Sequence, residues 1–170
     1  MSEKKSYLEG KKILAVDDEE GVVELIEEIL ETADVDTALD YQTASEKIRQ
    51  KKYDLAIIDI MGVRGLTLLE EAVNNDIPTV MLTAHALNPE SIKTSINKGA
   101  LSYLPKEELS NLDEFLSDIL ATEKKGGSTW KLLFDRLGSF FEHSFGQNWM
   151  DDHPEIGRMY GQPGRWHEQG

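Results

Sequence analysis

Residues 12–18 read KILAVDD, a short and mainly apolar run that ends in two aspartates. Residues 55–58 read LAII, and this second apolar run is followed directly by Asp59. An unbroken apolar run of this length predicts a strand that is buried on both faces. Strands of this kind belong to parallel sheets covered by helices, so the two runs favour an α/β fold.

Strand and helix patterns alternate on both sides of these runs. Thr43 and Glu46 have the spacing of a capping box, and Asn88 with Pro89 is typical of a helix start. The alternation indicates a parallel sheet with helices on both faces. The predicted strands are residues 12–16, 35–39, 55–58, 77–82 and 101–104, and helical spacing follows each of them, at about residues 22–30, 43–50, 66–73, 89–97 and 109–120.

Polar side chains stand where the predicted strands end. Asp17 and Asp18 follow the first strand, Asp59 the third and Thr83 the fourth, and Lys106 lies two residues past the fifth. In an open parallel sheet these ends meet at the ligand-binding edge. Clustered carboxylates repel one another unless a cation binds, and oxygen ligands favour Mg²⁺. An acid cluster with a hydroxyl and a lysine suits phosphoryl transfer, and a carboxylate can itself accept the group.

The set of motifs, in this order, resembles the receiver domain of two-component response regulators. The resemblance covers about residues 10–121 and implies a flavodoxin-like, doubly wound five-stranded parallel sheet of order 2-1-3-4-5. It is carried by DDE at residues 17–19, IIDIM at 57–61, MLTA at 81–84 and YLPK at 103–106.

The resemblance also implies a role for each acidic residue. Asp59 would accept a phosphoryl group from a histidine kinase and would share in metal binding. Asp18 would bind Mg²⁺ directly and Asp17 mostly through water, while the backbone carbonyl of Met61 would add a ligand.

Four further residues are implicated near the phosphoryl group. Thr83 and Lys106 would bind its oxygens, and Tyr103 would turn inward when Thr83 moves. His85 lies two residues past Thr83 and is a candidate modulator of phosphoryl lifetime, because histidine exchanges protons readily near neutral pH. The alternative for His85 is an ordinary surface histidine.

Two departures from the family pattern concern the site. The segment after Asp59 reads IMGVRG, which is shorter than usual and lacks a proline. Glu107 follows Lys106 where many members have a proline in a cis bond. A cis bond before a non-proline residue costs about 2.5–4 kcal/mol. We therefore expect either a trans bond with Lys106 re-aimed or a strained peptide.

The last 49 residues, 122–170, differ in composition from the rest. All three tryptophans and four of the five phenylalanines lie there. Ser128 is a typical N-cap and Gly146 a typical helix stop, so residues 129–146 are predicted to form an amphipathic helix. Its apolar face is too large for solvent and predicts packing on the receiver, on a second copy or in a partner's groove. The face consists of Trp130, Leu133, Phe134, Leu137, Phe141 and Phe145.

These patterns divide the chain into segments. Residues 1–9 form a lead, 10–121 the receiver, 122–128 a linker, 129–146 the amphipathic helix and 147–170 a predicted disordered tail. The linker prediction rests on a polar stretch with a glycine pair.

Composition excludes several classes of protein. The 170 residues include 18 Lys and Arg, 32 Asp and Glu and no Cys, for a net charge of −14. The negative charge disfavours nucleic acid as a partner. No apolar run is long enough for a bilayer, and the start lacks the apolar core of a signal peptide, so neither membrane binding nor export is expected. A cytoplasmic location is the expectation.

The predicted function is a phosphorylation-dependent signalling switch with bound Mg²⁺. Its expected partners are a histidine kinase and a downstream protein of unknown identity, with homodimerisation through the C-terminal helix as an open alternative. It is not expected to be an enzyme, apart from intrinsic autophosphorylation and autodephosphorylation. A Mg²⁺-dependent aspartyl-phosphate phosphohydrolase is disfavoured because Met61 stands where such enzymes often place a second acid. A DNA-binding regulator is disfavoured by the acidic charge and the short tail.

Overall fold

A five-stranded parallel sheet forms the centre of the molecule. The computed structural model describes residues 7–84 and 88–160, and within them the strand order is β2-β1-β3-β4-β5. Each neighbouring pair is parallel, so the doubly wound arrangement predicted from the sequence is confirmed. The strands are β1 (Lys12–Val16), β2 (Asp34–Ala38), β3 (Leu55–Asp59), β4 (Thr79–Thr83) and β5 (Ser102–Pro105).

Helices cover both faces of the sheet and continue beyond it. Helix α1 packs against α5, whereas α2 packs against α3. A 3-10 segment joins β5 to α5, and a second one joins α6 to α7. The helices are α1 (Glu20–Ile29), α2 (Tyr41–Gln50), α3 (Gly65–Asn74), α4 (Pro89–Asn97), α5 (Leu112–Lys124), α6 (Thr129–Phe145) and α7 (Pro154–Tyr160).

Strand register brings the polar strand ends to one edge of the sheet. All residues of β3 and β4 are buried, as expected for central strands with helices on both faces. Val16 pairs with Ile58, and Thr83 pairs with Pro105. Because the strands end side by side, the acidic residues and the lysine that end or follow them meet at the carboxyl edge.

The helix starts were predicted with mixed success. Asp40 caps α2, since its Oδ1 accepts a hydrogen bond from the Thr43 backbone N–H at 2.7 Å. The predicted capping box of Thr43 and Glu46 is therefore wrong, because an aspartate three residues earlier already supplies the acceptor. The cap of α4 is confirmed, with Asn88 Oδ1 accepting from the Ser91 backbone N–H at 2.9 Å.

The connection from α5 to α6 is shorter than the predicted linker. Helix α5 continues to Lys124, which leaves residues 125–128 as the connection instead of 122–128. Gly126 has a φ of +80°, a left-handed conformation that suits glycine. The Ser128 hydroxyl accepts a hydrogen bond from the Lys131 backbone N–H at 3.0 Å, so the predicted N-cap of α6 is confirmed.

Residues 129–160, called here the C-terminal unit, lie against β5 and α5. The Trp130 indole Nε1 donates a hydrogen bond to the Ala100 carbonyl at 3.2 Å, and the Thr129 hydroxyl donates to the Leu101 carbonyl at 2.7 Å. Only 2% of Trp130 is exposed. The apolar face of α6 thus packs on the sheet domain of its own chain, which is one of the three partners that the sequence left open.

The apolar face of α6 follows the predicted spacing across a bend. The helix departs from regular geometry at Leu137, where φ is −116° and ψ is 19°. Beyond this bend the face turns toward α7 and the second 3-10 segment. Trp130, Leu133, Phe134, Leu137 and Phe141 are buried, and Phe145 is half-buried.

The prediction of disorder over residues 147–170 is wrong for the part that the structure describes. Trp149–Asp152 is a 3-10 segment and Pro154–Tyr160 is a helix. The Trp149 ring lies 5.1 Å from that of Phe145 and 6.0 Å from those of Phe134 and Phe141, centroid to centroid. Single large side chains hold this segment, and they leave no periodic pattern in the sequence. Residues 161–170 lie outside the described part.

Candidate functional site

Three carboxylates converge at the carboxyl edge of the sheet. Asp17 and Asp18 follow β1, and Asp59 is the last residue of β3. Each of the three offers a carboxylate oxygen within 4.8 Å of the others. Asp17 is fully buried and 4% of Asp59 is exposed, whereas Asp18 faces solvent. The structure therefore assembles the acid cluster that the sequence predicted.

Lys106 reaches into this cluster from the end of β5. Its Nζ lies 2.7 Å from Asp17 Oδ2 and 3.4 Å from Asp59 Oδ1. It also lies 3.3 Å from Glu19 Oε1, a contact that the sequence analysis missed although Glu19 belongs to the DDE motif. The Lys106–Glu107 peptide is trans, like the others in the described ranges. Of the two alternatives at Glu107, the trans bond is the one found, and it leaves Lys106 in contact with the acids.

Burial shifts the proton affinities of the cluster. Desolvation, together with the charge of Asp17, raises the pKa of Asp59 to about 6, against the opposing effect of Lys106. Desolvation also raises the pKa of Asp17, although its hydrogen bond from Lys106 lowers it. Desolvation alone would lower the pKa of Lys106, but contacts with Asp17 and Asp59 outweigh this and raise it. Asp17 and Asp59 therefore both bind protons more tightly than free aspartates do.

The loop after Asp59 is tight, and two glycines make it so. Gly62 has a φ of +88°, and a Cβ there would lie 2.6 Å from Asp18 Oδ2. Gly65 begins α3 so close to β3 that a Cβ would lie 2.0 Å from the Asp59 carbonyl oxygen. The shortened IMGVRG segment therefore closes only because it has glycine at both places. The shortening is visible in the sequence, whereas these contacts were not predicted from it, although the spacing of the two glycines was their signal.

Thr83 and Tyr103 are both buried beside the site. Thr83 ends β4 and is fully buried, and Tyr103 is fully buried in β5. The Tyr103 side chain therefore points inward, with its hydroxyl 2.8 Å from Ser91 Oγ in α4. No sequence pattern indicated Ser91. The roles inferred for Thr83 and Tyr103 remain predictions.

Of the two remaining candidates, Met61 belongs to the described residues and His85 does not. Met61 lies in the loop directly after β3, and its side chain is 60% exposed, which suits a residue that would contribute only its backbone carbonyl. His85 lies outside the described residues, so its modulating role stays a prediction.

The donor set fits a hard divalent cation. Three carboxylates supply oxygen ligands, which is the chemistry that Mg²⁺ requires. Asp17 is oriented for this, because its Oδ1 accepts a hydrogen bond from the Glu19 backbone N–H at 2.9 Å. A single lysine in contact with Asp17 and Asp59 leaves negative charge that a cation would neutralise.

Comparison with known proteins defines the class. The chain matches the family model of the response regulator receiver domain over residues 13–117, and it belongs to that family. It is 34% identical over 114 residues to the two-component response regulator ARR12 of Arabidopsis thaliana. The matched region covers 61% of this chain and 19% of that protein. It is 34% identical over 103 residues to the alkaline phosphatase synthesis transcriptional regulatory protein PhoP of Bacillus subtilis strain 168, which covers 57% of this chain and 42% of that protein. The chain thus spans less than half the length of these relatives.

Solved structures agree with this assignment. A two-component response regulator from Clostridium difficile superimposes with a TM-score of 0.60 at 29% identity, covering 65% of this chain and 96% of that one. A CheY-like receiver domain protein from Methanospirillum hungatei JF-1 gives a TM-score of 0.57 at 27% identity, covering 68% and 98%. Within the described ranges, every helix is too short or too polar to cross a bilayer.

Proposed function

We propose that Asp59 is the phosphoacceptor of a signalling switch. A histidine kinase transfers a phosphoryl group to Asp59, and the aspartyl phosphate then changes how the chain binds a downstream protein. The observation that carries this proposal is the position of Asp59. It is nearly buried at the end of a central strand, with two acids within 4.8 Å and the Lys106 ammonium 3.4 Å away.

The transfer itself needs little covalent chemistry from the protein. One Asp59 oxygen attacks phosphorus, a P–O bond forms and the P–N bond to the kinase histidine breaks, so that the imidazole leaves with the bonding electron pair. Asp59 must be ionised to attack, and a pKa of about 6 leaves it mostly ionised at neutral pH. Lys106 lies where it neutralises charge on the transferring group, which is the main source of catalysis in such reactions.

Mg²⁺ is the second element of this proposal. Held by Asp17, Asp18, Asp59 and the Met61 carbonyl, it would supply positive charge beside the phosphoryl oxygens. The hydroxyl of Thr83, which ends the neighbouring strand β4, would hydrogen-bond another of these oxygens. Because these groups belong to the receiver alone, the chain should also accept phosphate from small phosphodonors.

Labelling with a small phosphodonor tests the proposal. Wild-type protein incubated with acetyl phosphate and Mg²⁺ should gain one phosphate by intact mass spectrometry, and Asp59→Asn should gain none. Asp76→Asn is the matched control, since Asp76 is exposed and precedes β4 at the opposite edge of the sheet. Equal labelling of wild type and Asp59→Asn would refute the assignment.

A further inference from the structure

The first two turns of α4 touch the receiver interior and the C-terminal unit at once. Ser91 faces inward and meets the Tyr103 hydroxyl at 2.8 Å. Two turns of one helix move together, so a displacement felt by Ser91 is also felt by the outward residues of the same turns, Glu90 and Lys93.

Those outward residues contact α7 and His153, the residue directly before it. Lys93 Nζ lies 3.4 Å from Glu155 Oε2, and Glu90 Oε2 lies 3.9 Å from His153 Nδ1. All of these side chains are partly exposed, at 28% for Lys93 and 48% for Glu155. The contact of α7 with α4 is therefore polar and solvated.

The other side of α7 is held differently. Ile156 is fully buried, and α7 packs against α6, which is itself anchored on β5 through Trp130. The C-terminal unit thus has a firm apolar attachment to the sheet domain and a weaker charged attachment to α4. Solvated ion pairs are worth little individually, so the second attachment is the one that can open while the unit stays in place.

A chain of contacts leads from this attachment to the acid cluster. Tyr103 lies three residues before Lys106, and it pairs with Met81 in β4, the strand that ends in Thr83. A phosphate or its mimic on Asp59 that engages Lys106 restrains the end of β5. When α7 already holds α4, the helix loses less conformational entropy as β5 and Tyr103 become ordered. Binding at the Asp59 site then costs less.

We propose that α7 is a clasp on α4, and that closing the clasp and loading the Asp59 site with a phosphoryl group favour each other. The second part of this inference, the coupling to the Asp59 site, rests on the proposed function. Linkage makes the effect reciprocal: whatever opens the clasp weakens binding at the site, and whatever disturbs Ser91 and Tyr103 loosens α7.

Charge exchange in the full-length chain tests the clasp. Glu155→Lys should speed amide hydrogen exchange at residues 92–97 by about twofold to fivefold, the range expected for one solvated ion pair. Adding Lys93→Glu to the same chain re-forms a pair of opposite charges with α7 and should slow the exchange again, though not fully, because Lys93 also lies 3.8 Å from Glu90 Oε2 in its own helix. Glu142→Lys makes the same change of charge on the exposed side of α6 and should leave α4 unaffected, because Glu142 has no ion pair within the described ranges.

The same variants test the coupling to the site. Beryllofluoride with Mg²⁺, followed by NMR at the Lys106 amide, should bind Glu155→Lys about twofold to fivefold more weakly than wild type, by the same single-pair estimate. The double variant should recover most of the lost affinity. Ser91→Ala, which removes the contact with Tyr103, should in turn speed exchange in α7.

Three results would overturn the proposal. Exchange in α4 that is equal in Glu155→Lys and Glu142→Lys would show that no clasp exists. Fast exchange that Lys93→Glu fails to reverse would assign the effect to α7 itself. The third result is an α4 exchange rate that changes as expected in these variants while their beryllofluoride affinity stays at the wild-type value. It would refute the coupling. The exchange measurements need no phosphate, so they stand even if Asp59 proves not to be the phosphoacceptor.

Discussion

Burial of Asp59 couples the site to the stability of the chain. Its pKa of about 6 lies above the usual 3.8, chiefly because the carboxylate is desolvated. A carboxyl whose pKa is raised by folding binds its proton more tightly in the native state than in the unfolded chain. The free energy of unfolding therefore falls as the pH rises from about 4 through about 6, and the full penalty is present above pH 6.

Removing this charge should stabilise the apo protein. Without divalent cations at pH 7.5, Asp59→Asn should raise the free energy of unfolding by about 2 kcal/mol. This is somewhat less than the free energy that corresponds to the whole difference between the folded and unfolded pKa of Asp59. The gain should shrink as the pH falls toward 5, because wild-type Asp59 becomes protonated there. Urea titrations at several pH values measure both effects.

Asp76→Asn serves as the control for this measurement, since Asp76 is exposed and far from the cluster. A gain in Asp59→Asn that does not depend on pH would contradict the assignment of the penalty to the Asp59 charge.

At the scale of single elements, the loop between β3 and α3 controls the position of Asp18. A methyl group on Gly62 would lie 2.6 Å from Asp18 Oδ2. The substituted residue would also have to keep a φ of +88°. The loop thus holds a metal-ligand candidate in place through a contact that only glycine allows.

Gly62→Ala should therefore weaken the response to Mg²⁺. We expect millimolar Mg²⁺ to raise the melting temperature of wild type, since a cation that binds only the native state stabilises it. The rise should be much smaller in Gly62→Ala and in Asp18→Asn. Gly21→Ala, where a Cβ would meet nothing within 4 Å, should keep the wild-type response. A full Mg²⁺ response in Asp18→Asn would show that Asp18 does not bind the ion, and a full response in Gly62→Ala would show that the loop does not fix its position.

Helix α6 depends on the buried Trp130 more than on the half-buried Phe140. Trp130→Ala should lower the free energy of unfolding by about 3–5 kcal/mol, because it empties a large buried site. The half-buried Phe140 offers a matched comparison on the same helix, and Phe140→Ala should cost clearly less. Chemical denaturation measures both losses. Equal losses would mean that α6 is not anchored through Trp130.

The elements that were predicted correctly show a pattern among residues that are neighbours in the sequence. The contacts and helices that were not predicted show no such pattern. An apolar run ending in Asp59, or in Asp17, is visible in the sequence, and strand order followed from the family resemblance. The contact of Ser91 with Tyr103 joins residues that no periodicity links. The short helices after Trp149 depend on ring packing across the bend of α6, and such packing is decided by the fold as a whole.

For the whole molecule, the structure bears on self-association. The apolar face of α6 lies against β5 and α5 of the same chain at Trp130, and beyond the bend Phe141 packs against Phe134 and Trp149. The net charge of −14 adds repulsion between copies. The described chain thus covers most of this face itself, and a homodimer through the helix would have only the half-buried Phe140 and Phe145 as apolar surface.

We accordingly expect this 170-residue chain to be a monomer. Light scattering after size-exclusion chromatography should give a molar mass close to 19.2 kDa at moderate salt. Trp130→Glu, which disrupts the packing of α6 on the sheet domain, should expose the face and favour association. A wild-type mass of twice the monomer value would contradict this.

The location of the tryptophans has a practical consequence. Trp130 and Trp149 are buried within the C-terminal unit, Trp166 follows later in the sequence, and residues 1–121 contain none. Intrinsic emission excited at long wavelength therefore comes from the C-terminal part alone, while circular dichroism sums over all helices and strands. A red shift that precedes the loss of ellipticity on heating would show that the unit detaches from a still-folded receiver. The chain carries its own optical reporter for that event, without an added label.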